Sequence, residues 1–260
     1  MSQVKINHNA GFFSCCSIKL KMIIYFFNTY MKLPDSVDSS EQFSWYKNPG
    51  SNSDITYDYF KHESEVNSAI SYVEPVIYDH EDQFAVYKNL NYSALSPFIK
   101  KYFSPSQLIL DIINNLEDKY RIDYSNTCVL FYRGNDKITE AALPNYDEII
   151  EKAKEVQSKN PGIKFLIQSD ETQFIEEMSV LFPNSVYFKD EIRHIKKCNS
   201  TVDVVYKSLN NVYSKYYLAI TIMMSKCKYV ICTSGNCSFW ILLYRGNAEN
   251  VHQNLNNVWV

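Results

Sequence analysis

Several features that mark whole classes of protein are missing from this sequence. There is no surplus of positive charge: 26 Lys and Arg stand against 29 Asp and Glu, and the formal net charge is −3. A chain so balanced has no general attraction to nucleic acid or to an acidic membrane. There is no apolar run long enough to cross a bilayer. The longest uncharged stretch near the N-terminus, MIIYFFNTYM, is too short, and it does not follow a basic start with a small-residue cleavage site. There is no zinc pattern among the seven cysteines: Cys15 and Cys16 are too close together, and Cys227, Cys232 and Cys237 have no paired histidine nearby. An odd number of scattered cysteines points to free thiols in a reducing compartment. Internal repeats, low-complexity tracts and an Asp-x-Asp pair at a strand end are also absent. These absences exclude nucleic-acid binding, membrane spanning and a resident metal, and they lead us to expect a soluble, cytoplasmic protein.

What is present is ordinary globular material. The chain has 260 residues, 46% of them hydrophobic and 15% aromatic, enough for one large domain or two of usual size. Val4–Asn9 reads as a strand. AGFFSCCS reads as a turn, and Ile18, Leu20, Met22, Ile23, Phe26, Phe27 and Tyr30 give a helical pattern. A strand, a glycine-containing turn and a helix open a Rossmann-like half. LPDSVDSS breaks that helix. Gln42 to Ser104 shows turn signals without a clear period and is expected to form loops and short helices. A helix is expected from Ser104 through Tyr120, with a Ser–Pro start.

From Thr127 the pattern becomes regular. TCVLFYR, KFLIQSD, SVYF and KYVICTSG read as strands. Helices are expected over LPNYDEIIEKAKEVQSKNPG, ETQFIEEMSVLFP, Lys207–Lys226 and NCSFWILLYRG, with Phe239 and Trp240 packed in the core. Strands alternating with helices imply a parallel sheet covered by helices on both faces. The expected fold class is therefore α/β, with two Rossmann-like halves: residues 1–122 and residues 123–260.

Ligands in open parallel sheets bind beyond the carboxyl ends of the strands. Three strand ends here carry charge or small polar groups: YRGNDKITE, IQSDE and ICTSGNCSFW. The third leads into a helix whose N-terminus can hold a phosphate, and Gly235 would let the backbone approach closely. Arg133, one strand away, offers a planar fork to the same phosphates. Each residue also has a plainer explanation. Arg133 can pair with Asp136 as a loop salt bridge, Asp170 can cap the helix after it, and Glu140 can be a solvated acid.

YRGNDKITEA resembles the first peptide motif of the fucosyltransferase superfamily, in which a strand ends in His-x-Arg followed by Asp. It is most similar to that of the α1,6-fucosyltransferases, where the strand runs on through Asp-Lys to Glu-Ala. MSKCKYVICTSGNCSFW is similar to the last motif of the α1,2-fucosyltransferases, and FLIQSDE to the middle motif. NHNAGFFS resembles, more loosely, the glycine-containing turn that faces the cleft. The resemblance covers roughly Thr127 to Gly246, with three motifs in order.

It implies a GT-B-type fold, with residues 1–122 on the acceptor side and 123–260 binding the nucleotide sugar. It implies inverting transfer of fucose from GDP-fucose to a glycan hydroxyl, with no metal and no further cofactor. Arg133 then matches the arginine on the donor's β-phosphate, Asp136 and Lys137 the Asp-Lys pair, and Glu140 the acid proposed as base. Asp170, the turn Ser234, Gly235, Asn236, Cys237 and Ser238, and the N-terminal Asn9 and Gly11 match donor-binding positions. Phe131 stands where the motif has His, Gly134 where many members have a second Arg, and Lys137 and Glu140 are one residue closer. Near Ile220, where the α1,6 group carries an acid that binds guanine, there is none. These departures keep open a catalytically silent nucleotide- or glycan-binding module of the same fold, and a generic Rossmann nucleotide binder stands behind it.

Overall fold

Val4 and Ile6 turn inward between exposed neighbours, and the first strand is correspondingly short: β1 spans Gln3–Lys5. The computed structural model describes residues 2–61 and 74–260. The first helix, α1 (Phe12–Tyr30), starts earlier than its periodicity suggests. Phe12, Phe13, Cys15 and Cys16 are helical and buried, so AGFFSCCS is helix from Phe12 on and not a turn. β2 (Ser36–Asp38) lies parallel to β1, with Val4 opposite Val37, and completes one β-α-β unit.

The stretch expected to be irregular holds a 3₁₀ turn at Ser44–Tyr46, the short helix α2 (Thr56–Tyr59) and β3 (Phe60–Lys61). Residues 62–73 of that stretch lie outside the described residues. Two further 3₁₀ turns, His80–Phe84 and Tyr87–Asn89, lead into α3 (Tyr92–Tyr102). α3 falls within the stretch expected to hold short helices, but its position is hidden in the sequence because Pro97 sits inside it, an unfavourable place for a residue without an N–H. Asn91 caps its start, and Leu95, Phe98 and Ile99 hold it on the core. Ser104–Pro105 is not the start of the next helix. It forms β4, antiparallel to β3, and α4 (Gln107–Tyr120) begins after the cap Ser106.

The second half is built on a five-stranded sheet. β5 (Thr127–Tyr132) is flanked by β6 (Lys164–Ser169) and β7 (Tyr229–Thr233), followed by β8 (Val251–Leu255) and β9 (Val258–Trp259). The first four are parallel and β9 is antiparallel. All six residues of β5 are buried, as expected of a strand covered by helices on both faces. The helices are α5 (Tyr146–Lys159), α6 (Thr172–Leu181), the short α7 (Val202–Val205), α8 (Asn210–Lys226) and α9 (Asn236–Arg245). SVYF is not a strand: Val186 makes a single bridge to Leu166, and Phe188 is a core residue.

α9 is apolar on most sides and buried against α1, α3 and α8. Phe13 stacks on Trp240 with ring centroids 5.9 Å apart, and the Trp240 indole N–H donates to Ser17 Oγ at 2.9 Å. One hydrophobic core therefore runs through both halves. All seven cysteines are free thiols. No helix among the described residues is long and apolar enough to cross a membrane.

Candidate functional site

The parallel register carries Arg133, one residue beyond β5, alongside Asp170, one residue beyond β6. Arg133 Nε donates to Asp170 Oδ2 at 3.0 Å, and Gly134 N donates to Asp170 Oδ1 at 3.0 Å. Both oxygens of Asp170 are thus taken within the β5–β6 junction, and the side chain is 4% exposed. Asp170 does not cap α6; it fixes the plane of the guanidinium. Glu171, expected in the first turn of α6, also looks away from that helix. It is fully buried, accepts from Asn135 N at 2.7 Å, and accepts from the Tyr146 hydroxyl. Burial, and then this carboxylate, push the Tyr146 phenol well above its ordinary pKa.

The two acids form a clamp around the turn after β5. Asn135 sits at φ 40°, in the left-handed region that asparagine tolerates, and its amide donates to Asp170 O at 2.8 Å. Gly134 is required for a different reason. A Cβ there would stand 1.9 Å from Glu171 Oε1. The second arginine of the family motif is therefore excluded here by the Glu171 carboxylate.

Beyond the clamp, the cations converge on the start of α9. Arg133 Nη1 reaches Cys237 Sγ at 3.2 Å, in the first turn of that helix. Arg133 Nη2 reaches Asp136 at 3.4 Å. Lys137 lies against Gly235: a Cβ at that glycine would be 3.5 Å from Lys137 Cε and 3.8 Å from its Nζ. Gly235 has φ 145° and ψ 169°, a conformation essentially reserved for glycine. Lys137 also pairs with Glu140, whose side chain is 44% exposed. Burial, opposed by the neighbouring Arg133, raises the pKa of Asp136 above the ordinary carboxylate value.

Of the expected site residues, Arg133, Asp136, Lys137, Glu140, Asp170, Gly235 and Cys237 are thus brought together. Ser234 and Ser238 line the same turn, but their hydroxyls are bonded to backbone: Ser234 Oγ to Asn254 O at 2.8 Å, and Ser238 Oγ to Thr233 O at 2.6 Å. Asn236 accepts from Ser17 Oγ at 2.7 Å and so ties α9 to α1. Gly11 precedes α1 at an ordinary φ of −54°. Asn9 bonds to the 41–44 segment, accepting from Ser44 N at 2.8 Å and donating to Glu41 O at 2.9 Å. The Ile220 side chain belongs to the core.

Two residues from the stretch without periodicity complete the site. Gln83 Oε1 accepts from Asn236 N at 3.0 Å, and the Tyr87 hydroxyl accepts from Gly235 N at 3.2 Å. They occupy backbone donors at the mouth of α9 in the way a phosphate oxygen would. No local motif marks either residue, because the contacts span about 150 positions of sequence: |i−j| is 153 for Gln83 and 148 for Tyr87.

No protein-family model matches this chain, and no curated protein matches it. Among solved structures, fucosyltransferase NodZ from Bradyrhizobium aligns with a TM-score of 0.59 at 10% identity, covering 92% of each chain. NodZ alpha-1,6-fucosyltransferase co-crystallized with GDP aligns at 0.55 and 11% identity, covering 92% of this chain and 91% of that one. A NodZ alpha-1,6-fucosyltransferase structure soaked with GDP-fucose aligns only in part, at 0.45 and 12% identity; there the alignment covers 65% of this chain and spans 53% of the other. At these identities the likeness defines the fold. The chain has an α/β fold of the fucosyltransferase-like, GT-B type, with a parallel-dominated sheet in its second half and a β-α-β unit in its first.

Proposed function

We propose that this chain is an inverting glycosyltransferase that moves fucose from GDP-fucose to a glycan hydroxyl. The observation that carries the assignment is the convergence of Arg133 and Lys137 on the N-terminal turn of α9 at the carboxyl edge of the sheet. The fucosyltransferase-like fold supports it. Residues 1–122 would face the acceptor and residues 123–260 the donor. The acceptor oxygen attacks the anomeric carbon, and the bond from that carbon to the β-phosphate oxygen breaks. The electron pair leaves with GDP. Negative charge grows on the diphosphate, where fixed cations and the dipole of α9 stabilise it most.

Arg133 is suited to this task although it has partners. Three of the five N–H groups of a guanidinium are engaged, and two of those contacts are weak, one to a thiol and one at 3.4 Å. The strong bond, to Asp170, orients the fork without consuming it. Asp136 receives the hydroxyl proton. Its raised pKa makes it a better proton acceptor than an ordinary carboxylate, while Glu140 serves mainly as the partner of Lys137.

One observation favours a second assignment, a silent nucleotide- or glycan-binding module: Gln83 and Tyr87 already fill two donors at the α9 mouth. Donor consumption separates the two. Arg133→Lys keeps the charge but loses the fork. A transferase should retain its melting temperature within a few degrees and lose roughly 10²-fold or more in GDP-fucose turnover. Wild-type protein that binds GDP-fucose without consuming it would establish the silent module. Full turnover by Arg133→Lys would remove Arg133 from the chemistry.

A further inference from the structure

A large cleft lies apart from the cations. It is a cavity of about 1170 Å³ between the 40–52 segment and the start of α8. Its lining is rich in groups that both donate and accept hydrogen bonds, with four asparagines and four serines. Its charges are few. Glu41 pairs with Lys5, which leaves Lys47, whose Nζ donates to Ser40 O, and Lys207 as its remaining charges.

At its edge Trp45 is 39% exposed, between Phe43 and Tyr46 that are each 1% exposed. The backbone enforces that contrast. Phe43 has φ 59° and ψ 28°, a left-handed conformation that costs a bulky residue on the order of 1–3 kcal/mol. It persists because the rings of Phe43 and Tyr46 both pack on Phe12, with centroids 5.5 Å away in each case. The turn therefore sinks two aromatics and turns the third outward. Asn9 stiffens it from below through Ser44 N and Glu41 O, and Asn211 Nδ2 holds Tyr46 O at 2.9 Å.

We propose that this cleft is a binding groove for an uncharged oligosaccharide, with Trp45 as the platform for one sugar ring. An exposed indole offers a flat apolar face to the C–H face of a pyranose. Amides and hydroxyls around it match vicinal hydroxyls, which also donate and accept. A volume of about 1170 Å³ suits several rings better than one. A short chain of side-chain contacts links the turn that carries Trp45 to the cationic site. The Tyr46 hydroxyl donates to Asp203 at 2.9 Å, Asp203 pairs with Arg193, and both line a small cavity with Arg133 and Asp170. The role of acceptor site rests on the transferase assignment; the binding itself does not.

Neutral linear oligosaccharides of the cello-, malto- and chito-series, from di- to hexasaccharides, are titrated into the full chain by calorimetry and by tryptophan emission, with and without GDP. At least one series should bind, and tighter as it lengthens. Trp45→Ala should weaken it about tenfold or more, the scale of losing an aromatic anchor, while Trp45→Phe keeps most of the affinity. The GDP-induced rise in melting temperature should be the same in Trp45→Ala as in wild type. Absence of binding by every neutral series, equal binding by Trp45→Ala, or binding of anionic oligosaccharides alone would overturn the groove. Oligosaccharide binding by a protein that does not respond to GDP would keep the groove and remove the transferase.

Discussion

Replacing Gly134 with alanine tests the clamp on which the cationic site is built. The added methyl carbon would lie 1.9 Å from Glu171 Oε1, 2.2 Å from its Cδ and 2.8 Å from Tyr132 Cε1. No small adjustment relieves the first two distances, because Glu171 is fully buried and held at both oxygens by Asn135 N and the Tyr146 hydroxyl. The carboxylate must leave. Two hydrogen bonds to a charged group are then lost, each of about 1.5–3 kcal/mol, so the cost is about 3–6 kcal/mol. That is a large part of the stability of an ordinary domain, about 5–15 kcal/mol. The denaturant midpoint of Gly134→Ala should fall accordingly at unchanged slope. The double variant Gly134→Ala, Glu171→Ala should recover part of the loss, since the clash disappears while Asn135 N and Tyr146 remain unpaired. A Gly134→Ala protein within about 0.5 kcal/mol of wild type, the range of an ordinary surface change, would refute the clamp.

Burial without a hydrogen-bond partner lowers the Lys19 ammonium from 10.5 to about 8. Its folded pKa lies below its unfolded one, so the penalty is fully present below pH 8 and fades as pH rises toward 10.5. Lys19→Met should therefore stabilise the protein at pH 7 by up to about 3 kcal/mol and flatten the alkaline rise; identical pH curves for both proteins would contradict this. Gln83→Ala should lose about 1 kcal/mol as a lost cap, yet bind GDP at least as tightly, because the N–H of Asn236 becomes available; weaker GDP binding would make Gln83 a ligand and not an occupant. Turnover should survive EDTA, with the diphosphate neutralised by side chains; loss restored by Mn²⁺ would place the chain in another glycosyltransferase class. The acid limb of the rate profile should lie above the ordinary carboxylate range, as the raised pKa of Asp136 requires, and should shift in Asp136→Glu.

The second half of the fold was legible because its strands are uniformly apolar and its helices amphipathic: TCVLFY and YVICT announce buried parallel strands without any tertiary information. The closing hairpin escaped notice. Its signal was present in NLNNVW, where Asn256 and Asn257 both adopt positive φ as a tight hairpin turn demands. Arg133, Asp136 and Lys137 were legible as charges at a strand end. Their partners were only partly so. Asp170 reads as a helix cap by local rules, and only the β5–β6 register shows that it holds an arginine. Gln83, Tyr87 and Trp45 come from a stretch with no period, where tertiary contacts decide the structure and nothing local records them.

The central claim is that Arg133 and Lys137 meet a β-phosphate, and the most direct measurement compares GDP with GMP by thermal shift at equal concentrations. Stabilisation grows as the logarithm of ligand over Kd, so a ligand that reaches both cations should raise the melting temperature clearly more than one that lacks the second phosphate. GDP should exceed GMP in wild type, and the difference should shrink in Lys137→Ala and in Arg133→Lys. Equal shifts for GDP and GMP in wild type would contradict the account.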